Sequence, residues 1–305
     1  MSIPVIDLTR LGTDRDTIVS ELGCGLEALG FVAIVGHGID EALLSRAYEA
    51  TARACALPDS VKRHYERPDT DRQRGYTPFG LEHAKDSDTA DLKEFWQVGR
   101  DLSEDHPLRR SGEVPTNAFP DEIPEFGETF RALYSELEVF AHGLLGLVGE
   151  YLERPPGFFE RMVRDGNSVM RVIHYPPLGP DAPAGAVRAA SHEDINLMTV
   201  LPVSTQPGLE LLTREGQWMA VCPPPNVMVC DTGDMMALIT GGRLPATTHR
   251  VVNPPDAPHR SRYSMPFFVH PHPDHVLRSP GSDDGVTARD FLKRRLVEIG
   301  VAGGR

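Results

Sequence analysis

From Ser168 onward the chain changes character, and that change limits its fold more than any other feature. Val169-Met170-Arg171-Val172-Ile173-His174-Tyr175 is a strand-like run that Pro176-Pro177 ends. Short extended runs follow at 192–201, 208–213, 217–221, 226–230, 235–239, 246–252 and 262–269, separated by Pro, Gly and polar turn residues. Closely spaced short strands with this punctuation predict a β-sandwich or barrel.

The first half reads differently. Ile18, Leu22, Leu26 and Leu29 form one helical stripe that stops at Gly30, and Phe31 to Val35 is a β-branched strand. Asp40 is placed to cap a helix from Glu41 to about Cys55. Residues 66–90 are polar and carry Pro68, Gly75, Pro78 and Gly80, so they read as a loop. It is either plain surface connection or a cover over a pocket mouth, for which Tyr76 and Phe79 are the useful aromatics. Leu92 to Val98 predicts a strand, with Lys93 and Glu94 solvated and Phe95 or Trp96 toward a pocket. Phe130, Leu133, Leu137, Phe140, Leu144, Leu147 and Tyr151 recur at three and four, which predicts a long helix from about 124 to 152. Near the end, Thr287 and Asp290 have the spacing of a capping box. No repeat or clean linker divides the chain. The expectation is one unit over 1–305, with a helix-rich part (1–165), a strand core (166–275) and a tail with a helix (276–305).

Charge narrows the partners. Lys plus Arg number 31 against 44 Asp plus Glu, a formal charge of -13, which argues against nucleic acid and anionic membrane surfaces. Cys24, Cys55, Cys222 and Cys230 have neither zinc-site nor disulfide-framework spacing. With no signal-peptide pattern and no apolar run long enough to span a bilayer, the expectation is a soluble cytoplasmic protein. Oligomeric state leaves no mark in the sequence.

Inside the strand-rich half, His192 and Asp194 stand two apart in Ser191-His192-Glu193-Asp194. On an extended strand both would face one pocket, and Glu193 would face away. An imidazole and a carboxylate are two members of a facial triad for non-haem Fe(II), and a distant His249 in Thr248-His249-Arg250-Val251 is the candidate third. His272-Pro273-Asp274 repeats the pattern but carries a Pro and is read as a decoy. Downstream, Arg262, Ser264 and Phe268 share one face of an extended run, and Arg plus Ser suits a carboxylate.

The ordered set of His-x-Asp, His-Arg-Val and Arg-x-Ser followed by Pro-Phe-Phe resembles the 2-oxoglutarate- and Fe(II)-dependent oxygenases of the isopenicillin N synthase-like branch. Ile3-Pro4-Val5-Ile6-Asp7-Leu8, Gly30-Phe31-Val32, Gly36-His37-Gly38, Arg74-Gly75-Tyr76, Tyr175-Pro176-Pro177, Gly208-Leu209-Glu210 and Thr232-Gly233-Asp234 fall in the same order. The resemblance implies a mainly β fold with flanking α: a double-stranded β-helix, the cupin-like jelly roll, with N-terminal helices packed outside.

The resemblance further implies an oxidoreductase that holds Fe(II) with His192, Asp194 and His249. It would use 2-oxoglutarate and O2 as cosubstrates and oxidise a small molecule, most commonly by hydroxylation. Arg262 and Ser264 would hold the distal carboxylate of 2-oxoglutarate, with Tyr175 reaching the same cosubstrate. Substrate-contact candidates are Arg171, Phe95, Phe268 and Tyr76. Arg171 shares a face with Tyr175 on a regular strand and would suit a carboxylate-bearing substrate; the alternative is a salt bridge at the barrel rim. Three other readings stay open: an isopenicillin N synthase-like oxidase that does not use 2-oxoglutarate, an ethylene-forming type of 2-oxoglutarate breakdown, and a non-catalytic cupin-like binding protein.

Overall fold

The computed structural model describes residues 2–82, 91–177, 187–253 and 260–298. Two sheets form the core. The larger runs, in spatial order, β1 (Val5–Asp7), β2 (Phe31–Val35), β10 (Met228–Thr232), β7 (Met198–Pro202), β13 (Phe267–Val269), β5 (Val169–Tyr175), β4 (Glu94–Gly99) and β3 (Gly75–Thr77), with β12 (Arg262–Ser264) also paired to β5. The smaller runs β6 (Ala189–His192), β11 (His249–Val251), β8 (Leu209–Leu212) and β9 (Trp218–Ala220). A short ribbon of β14 (Val276–Leu277) and β15 (Val286–Thr287) leads into the last helix, Ala288–Glu298. All these pairings are antiparallel except β1 with β2. The fold is a jelly roll, as the resemblance implied.

Strand alternation assigns the two faces of the large sheet. Directly paired residues lie on one face, so the register Tyr76↔Trp96, Trp96↔Val172, Phe267↔Val200, Val200↔Cys230 and Cys230↔Val32 traces a single layer. That layer is buried against the helices Arg15–Leu29, Glu41–Cys55 and Pro124–Tyr151 in the main core. The opposite layer is traced by Thr77↔Phe95, Phe95↔Ile173, Gln97↔Arg171, Arg262↔Tyr175, Ser264↔Ile173, Phe268↔Thr199, Thr199↔Asp231 and Asp231↔Phe31. It faces the small sheet: Phe95, Ile173 and Tyr175 pack with Ala189 and Val251, and Phe31, Ala33 and Val229 pack with Leu211 and Met219.

Local signals explain the helices. Gly30 caps the first in the left-handed region at φ 67, where a side chain would be strained. Asp40 accepts from Ala42 N–H at the start of the second. Thr287 Oγ1 accepts from Asp290 N–H, one half of the expected capping box, while the Asp290 carboxylate takes the Thr287 hydroxyl rather than its backbone N–H. Among the described residues no helix is long and apolar enough to cross a membrane.

Four expectations need correction. Residues 235–239 are not a strand but part of the helix Asp234–Ile239, because a short apolar run fits a buried helix as well as a buried strand. The run 192–201 is two strands, β6 and β7, joined by a bend at 193–197. Lys93 and Glu94 are not solvated; both are buried in ion pairs. Tyr76 does not face a substrate pocket. It lies on the helix-facing layer against Trp96, at 4.7 Å between ring centroids, and its hydroxyl hydrogen-bonds Glu94 at 2.5 Å. The loop spanning 66–90 contains β3, and residues 83–90 lie outside the described residues.

Candidate active site

His192 ends β6 and His249 begins β11, and the two are direct cross-strand partners. Their rings lie 4.4 Å apart. Asp194 arrives from the bend: its Oδ1 lies 3.9 Å from His192 Nε2 and 3.7 Å from His249 Nε2. Ligand atoms of the three residues fall within 4.8 Å of one another. Both imidazoles have a fixed tautomer. His192 Nδ1 donates to the Ala190 carbonyl at 2.7 Å and His249 Nδ1 to the Thr247 carbonyl at 3.1 Å, which leaves each Nε2 as a lone pair. Burial, followed by His249, pushes the His192 pKa down to about 4, so the neutral form a metal needs is the stable one. These donors could hold one divalent ion.

The bend is held from behind. Asn196 Nδ2 donates to Thr199 Oγ1 at 2.9 Å, and Thr199 Oγ1 donates to Asp194 Oδ2. Asp231, on the same layer, has its carboxyl pKa pushed up, first by burial and then by the neighbouring Asp194. The first turn of the helix Asp234–Ile239 completes the support: Asp234 N–H donates to the Asp194 carbonyl at 2.7 Å and Met235 N–H to the Asn196 carbonyl at 3.1 Å. A Cβ at Gly233 would sit 2.5 Å from the Asn196 carbonyl and 2.7 Å from the Asp194 carbonyl.

A second group converges where β12 meets β5. Arg262 is 2 % exposed; its Nε donates to the Gln206 carbonyl at 3.1 Å and its Nη2 to Ser204 Oγ at 2.9 Å. Ser264 Oγ lies 3.0 Å from Ser204 Oγ, and the Tyr175 ring lies 5.0 Å from the guanidinium. Sequence reasoning misses Arg188, which is fully buried just before β6. Arg262 Nη1 and Arg188 Nε and Nη1 are buried without a hydrogen-bond partner, and neither arginine forms an ion pair among the described residues. Burial works against both charges, and at Arg188 the nearby Arg262 adds to it. Two buried cations with spare N–H groups and no carboxylate among the described residues could hold an anion.

In front of the His–Asp–His group lies a cavity of about 430 Å³, walled by Arg171, Phe268, His270, Gln97, Lys93 and Asn196 among others. Arg171 and Phe268 stand where strand alternation puts them. Phe95 stands behind Arg171, its ring 4.6 Å from the guanidinium, and opens onto a smaller side chamber of about 110 Å³. Arg171 is not a free cation. Its Nη1 lies 3.0 Å from Glu82 and its Nε donates to Gln97 Oε1 at 3.0 Å. Glu82 also takes Lys93 at 2.7 Å, and Lys93 takes Asp91 at 2.8 Å. Burial opposes a charge on Glu82, but Arg171 and Lys93 outweigh it and hold the carboxyl down at about 2.

Cys55, Glu94 and His174 form another close group on the opposite layer. There Glu94 is already bonded to Lys62 at 2.7 Å and to His174 at 2.8 Å, so it reads as a buried ion-pair network. His272 and Asp274 do not join the triad; Asp274 pairs with Arg289 at 2.7 Å.

Comparison with known proteins decides the family. Residues 166–271 match the 2OG-Fe(II) oxygenase superfamily, and residues 3–122 match the family described as non-haem dioxygenase in morphine synthesis N-terminal. The 2-oxoglutarate-Fe(II) type oxidoreductase hxnY of Emericella nidulans is 30% identical over 286 residues, covering 90% of this chain and 81% of that protein. The chain belongs to the 2-oxoglutarate–Fe(II) oxygenase superfamily. A crystal structure of a 2OG-Fe(II) oxygenase family protein from Caulobacter crescentus is 37% identical, with a TM-score of 0.88 over 97% of this chain and 99% of that one. A Neurospora crassa protein, solved in complex with alpha-KG and thymine, shares the fold at a TM-score of 0.84 and 23% identity, over 97% of this chain and 96% of that one. This oxygenase is therefore an enzyme that uses Fe(II), 2-oxoglutarate and O2.

Proposed function

We propose that His192 Nε2, His249 Nε2 and Asp194 Oδ1 hold Fe(II), and that Arg262, with Ser264 and Tyr175, takes the distal carboxylate of 2-oxoglutarate. Fe(II), 2-oxoglutarate and O2 together supply the oxidising power, with 2-oxoglutarate converted to succinate and carbon dioxide. The protein's part is to orient and to exclude water. The carbonyl-anchored imidazoles keep both Nε2 lone pairs on one point, and Thr199 leaves Asp194 Oδ1 free to join them. The pair Arg262 and Arg188 meets the charge of the dianion in a dry site.

The substrate occupies the cavity between the triad and the wall of Arg171, Gln97 and Phe268, where hydroxylation is the expected outcome. We assign it as an uncharged polar molecule rather than a carboxylate. The observation that carries this is the Glu82 bridge: the wall's Arg171 and Lys93 are matched by Glu82 and Asp91, so a substrate carboxylate would have to displace a resident one. Residues 1–305 act as one unit in this reading, because β1 and β2 extend the sheet that carries Thr199 and Asp231.

The test is succinate release under O2 with Fe(II) and 2-oxoglutarate. Wild type is expected to release succinate, Asp194→Ala to release none, and Arg262→Met to need much more 2-oxoglutarate. Arg262→Met matching wild type in its 2-oxoglutarate requirement would end the cosubstrate assignment.

A further inference from the structure

His270 follows β13, two residues after Phe268, and alternation puts it on the same site-facing layer. It is 7% exposed and lines the cavity. Its Nδ1 lies 3.2 Å from the Phe268 carbonyl. A carbonyl only accepts, so Nδ1 carries the proton and Nε2 is a lone pair. Nε2 is buried and takes no hydrogen bond from any described protein group. Burial pushes the His270 pKa down to about 4, so the ring stays neutral at physiological pH.

A buried acceptor without a donor is costly to leave unmet. Gln97 on this wall is engaged, its Nε2 donating to Gln73 Oε1 at 3.2 Å and its Oε1 taking Arg171, whereas Asn196 Oδ1 is, like His270 Nε2, a buried acceptor without a donor among the described residues. Beside them, His270 Nε2 has its bonding capacity wholly unspent, on a ring that lines the space in front of the His–Asp–His group.

We propose that His270 determines substrate specificity by accepting a hydrogen bond at Nε2 from an N–H or O–H of an uncharged substrate. The substrate class is thus a neutral molecule with a polar hydrogen near its oxidised carbon, as in a cyclic amide or imide. This rests on the reading of the cavity as the substrate site of a 2-oxoglutarate-dependent enzyme. A substrate whose donor is methylated leaves Nε2 unmet and adds bulk against the ring, so it is selected against.

The experiment measures succinate release with matched probes: uracil, thymine, hydantoin, 2-pyridone and the N-methylated form of each. Wild type is expected to favour at least one N–H parent over its N-methyl partner by about 10-fold or more in kcat/KM. His270→Leu should bring that ratio near one, and His270→Asn, which can keep an acceptor, should retain part of it. Both variants should still form the visible charge-transfer band with Fe(II) and 2-oxoglutarate in the absence of O2, which reports that the iron site is intact. Three results overturn the proposal: substrate-independent succinate release that no probe stimulates, a parent-to-methyl ratio in wild type near one, or a ratio unchanged in His270→Leu. Absence of any succinate release from wild type would instead remove the underlying functional reading.

Discussion

Gly233→Ala isolates the support of Asp194 from the ligands themselves. Gly233 has φ -105 and ψ -177, which alanine adopts without strain, so any effect is steric. The new Cβ would meet the Asn196 carbonyl and Asn196 Oδ1 at 2.5 Å and the Asp194 carbonyl at 2.7 Å. Ordinary carbon–oxygen contact needs about 3.3 Å, so the bend must retreat by roughly 0.6–0.8 Å. Two of the three obstacles are backbone, and the third is a buried amide, so no flexible chain end can absorb the shift. Overpacking of this kind costs about 1–3 kcal/mol. The larger effect falls on the metal, because the retreat carries Asp194 away from two imidazoles anchored on another sheet. Disturbed support of a metal ligand costs about 10–100-fold in affinity. Anaerobic Fe(II) titration with 2-oxoglutarate, followed by the visible charge-transfer band, measures this directly. Gly143→Ala is the control, since a Cβ there meets nothing within 4 Å. Wild-type Fe(II) affinity in Gly233→Ala would refute the idea that this helix turn places Asp194.

Other perturbations separate the two halves of the site. Gly143→Ala, within the helix Pro124–Tyr151, should raise stability by about 0.5–1 kcal/mol in denaturant titration. Thr199→Val keeps the branched shape but removes the donor to Asp194 Oδ2 and the acceptor of Asn196 Nδ2, and should weaken Fe(II) binding about 10-fold and lower stability by about 1–3 kcal/mol in denaturant titration. Arg188→Met should stabilise the ligand-free protein, by removing a buried unpaired charge, and shrink the rise in Tm that 2-oxoglutarate produces. Glu82→Gln should be destabilised by about 3–5 kcal/mol at neutral pH. Glu82 has a folded pKa of about 2 against 4.5, so its contribution is whole above pH 4.5 and drains away as pH falls toward 2. The gap in Tm between wild type and Glu82→Gln should therefore close over that window.

The legible part of the sequence follows a single period. Residues two apart share a face, so spacing alone groups Arg171 with Tyr175, and Arg262 with Ser264 and Phe268. The grouping survives the break at Met265–Pro266 because β12 and β13 both pair along β5. The same rule, carried two residues past Phe268, reaches His270. It also reaches Thr199 and Asp231, polar residues inside apolar strands. Period alone fails where nothing says which layer is which. Tyr76 and Glu94 pair with Trp96 and His174, so both belong to the helix side, and only the cross-strand partner reveals it. His192 and Asp194 converge as expected but by a bend, since β6 ends at His192 and the chain turns before β7.

Arg171 and Arg262 show most clearly why chemistry needs partners as well as residue types. Both project from the same layer of the same sheet, and either alone suggests a bound carboxylate. Among the described residues Arg262 meets only carbonyl and hydroxyl oxygens, and Arg188 adds a second cation beside it, so that end of the site carries surplus positive charge in a dry environment. Arg171 meets Glu82, whose position comes from the β3–β4 connection far away in sequence. Close pairs of this kind are worth about 4 kcal/mol at an effective dielectric of about 20, so a new anion at Arg171 gains only what the displaced carboxylate loses. One buried glutamate thus turns one of two equivalent arginines from an anion receptor into a neutral wall. In the proposed reading the dianionic cosubstrate goes to Arg262, and His270 offers the substrate an uncharged acceptor.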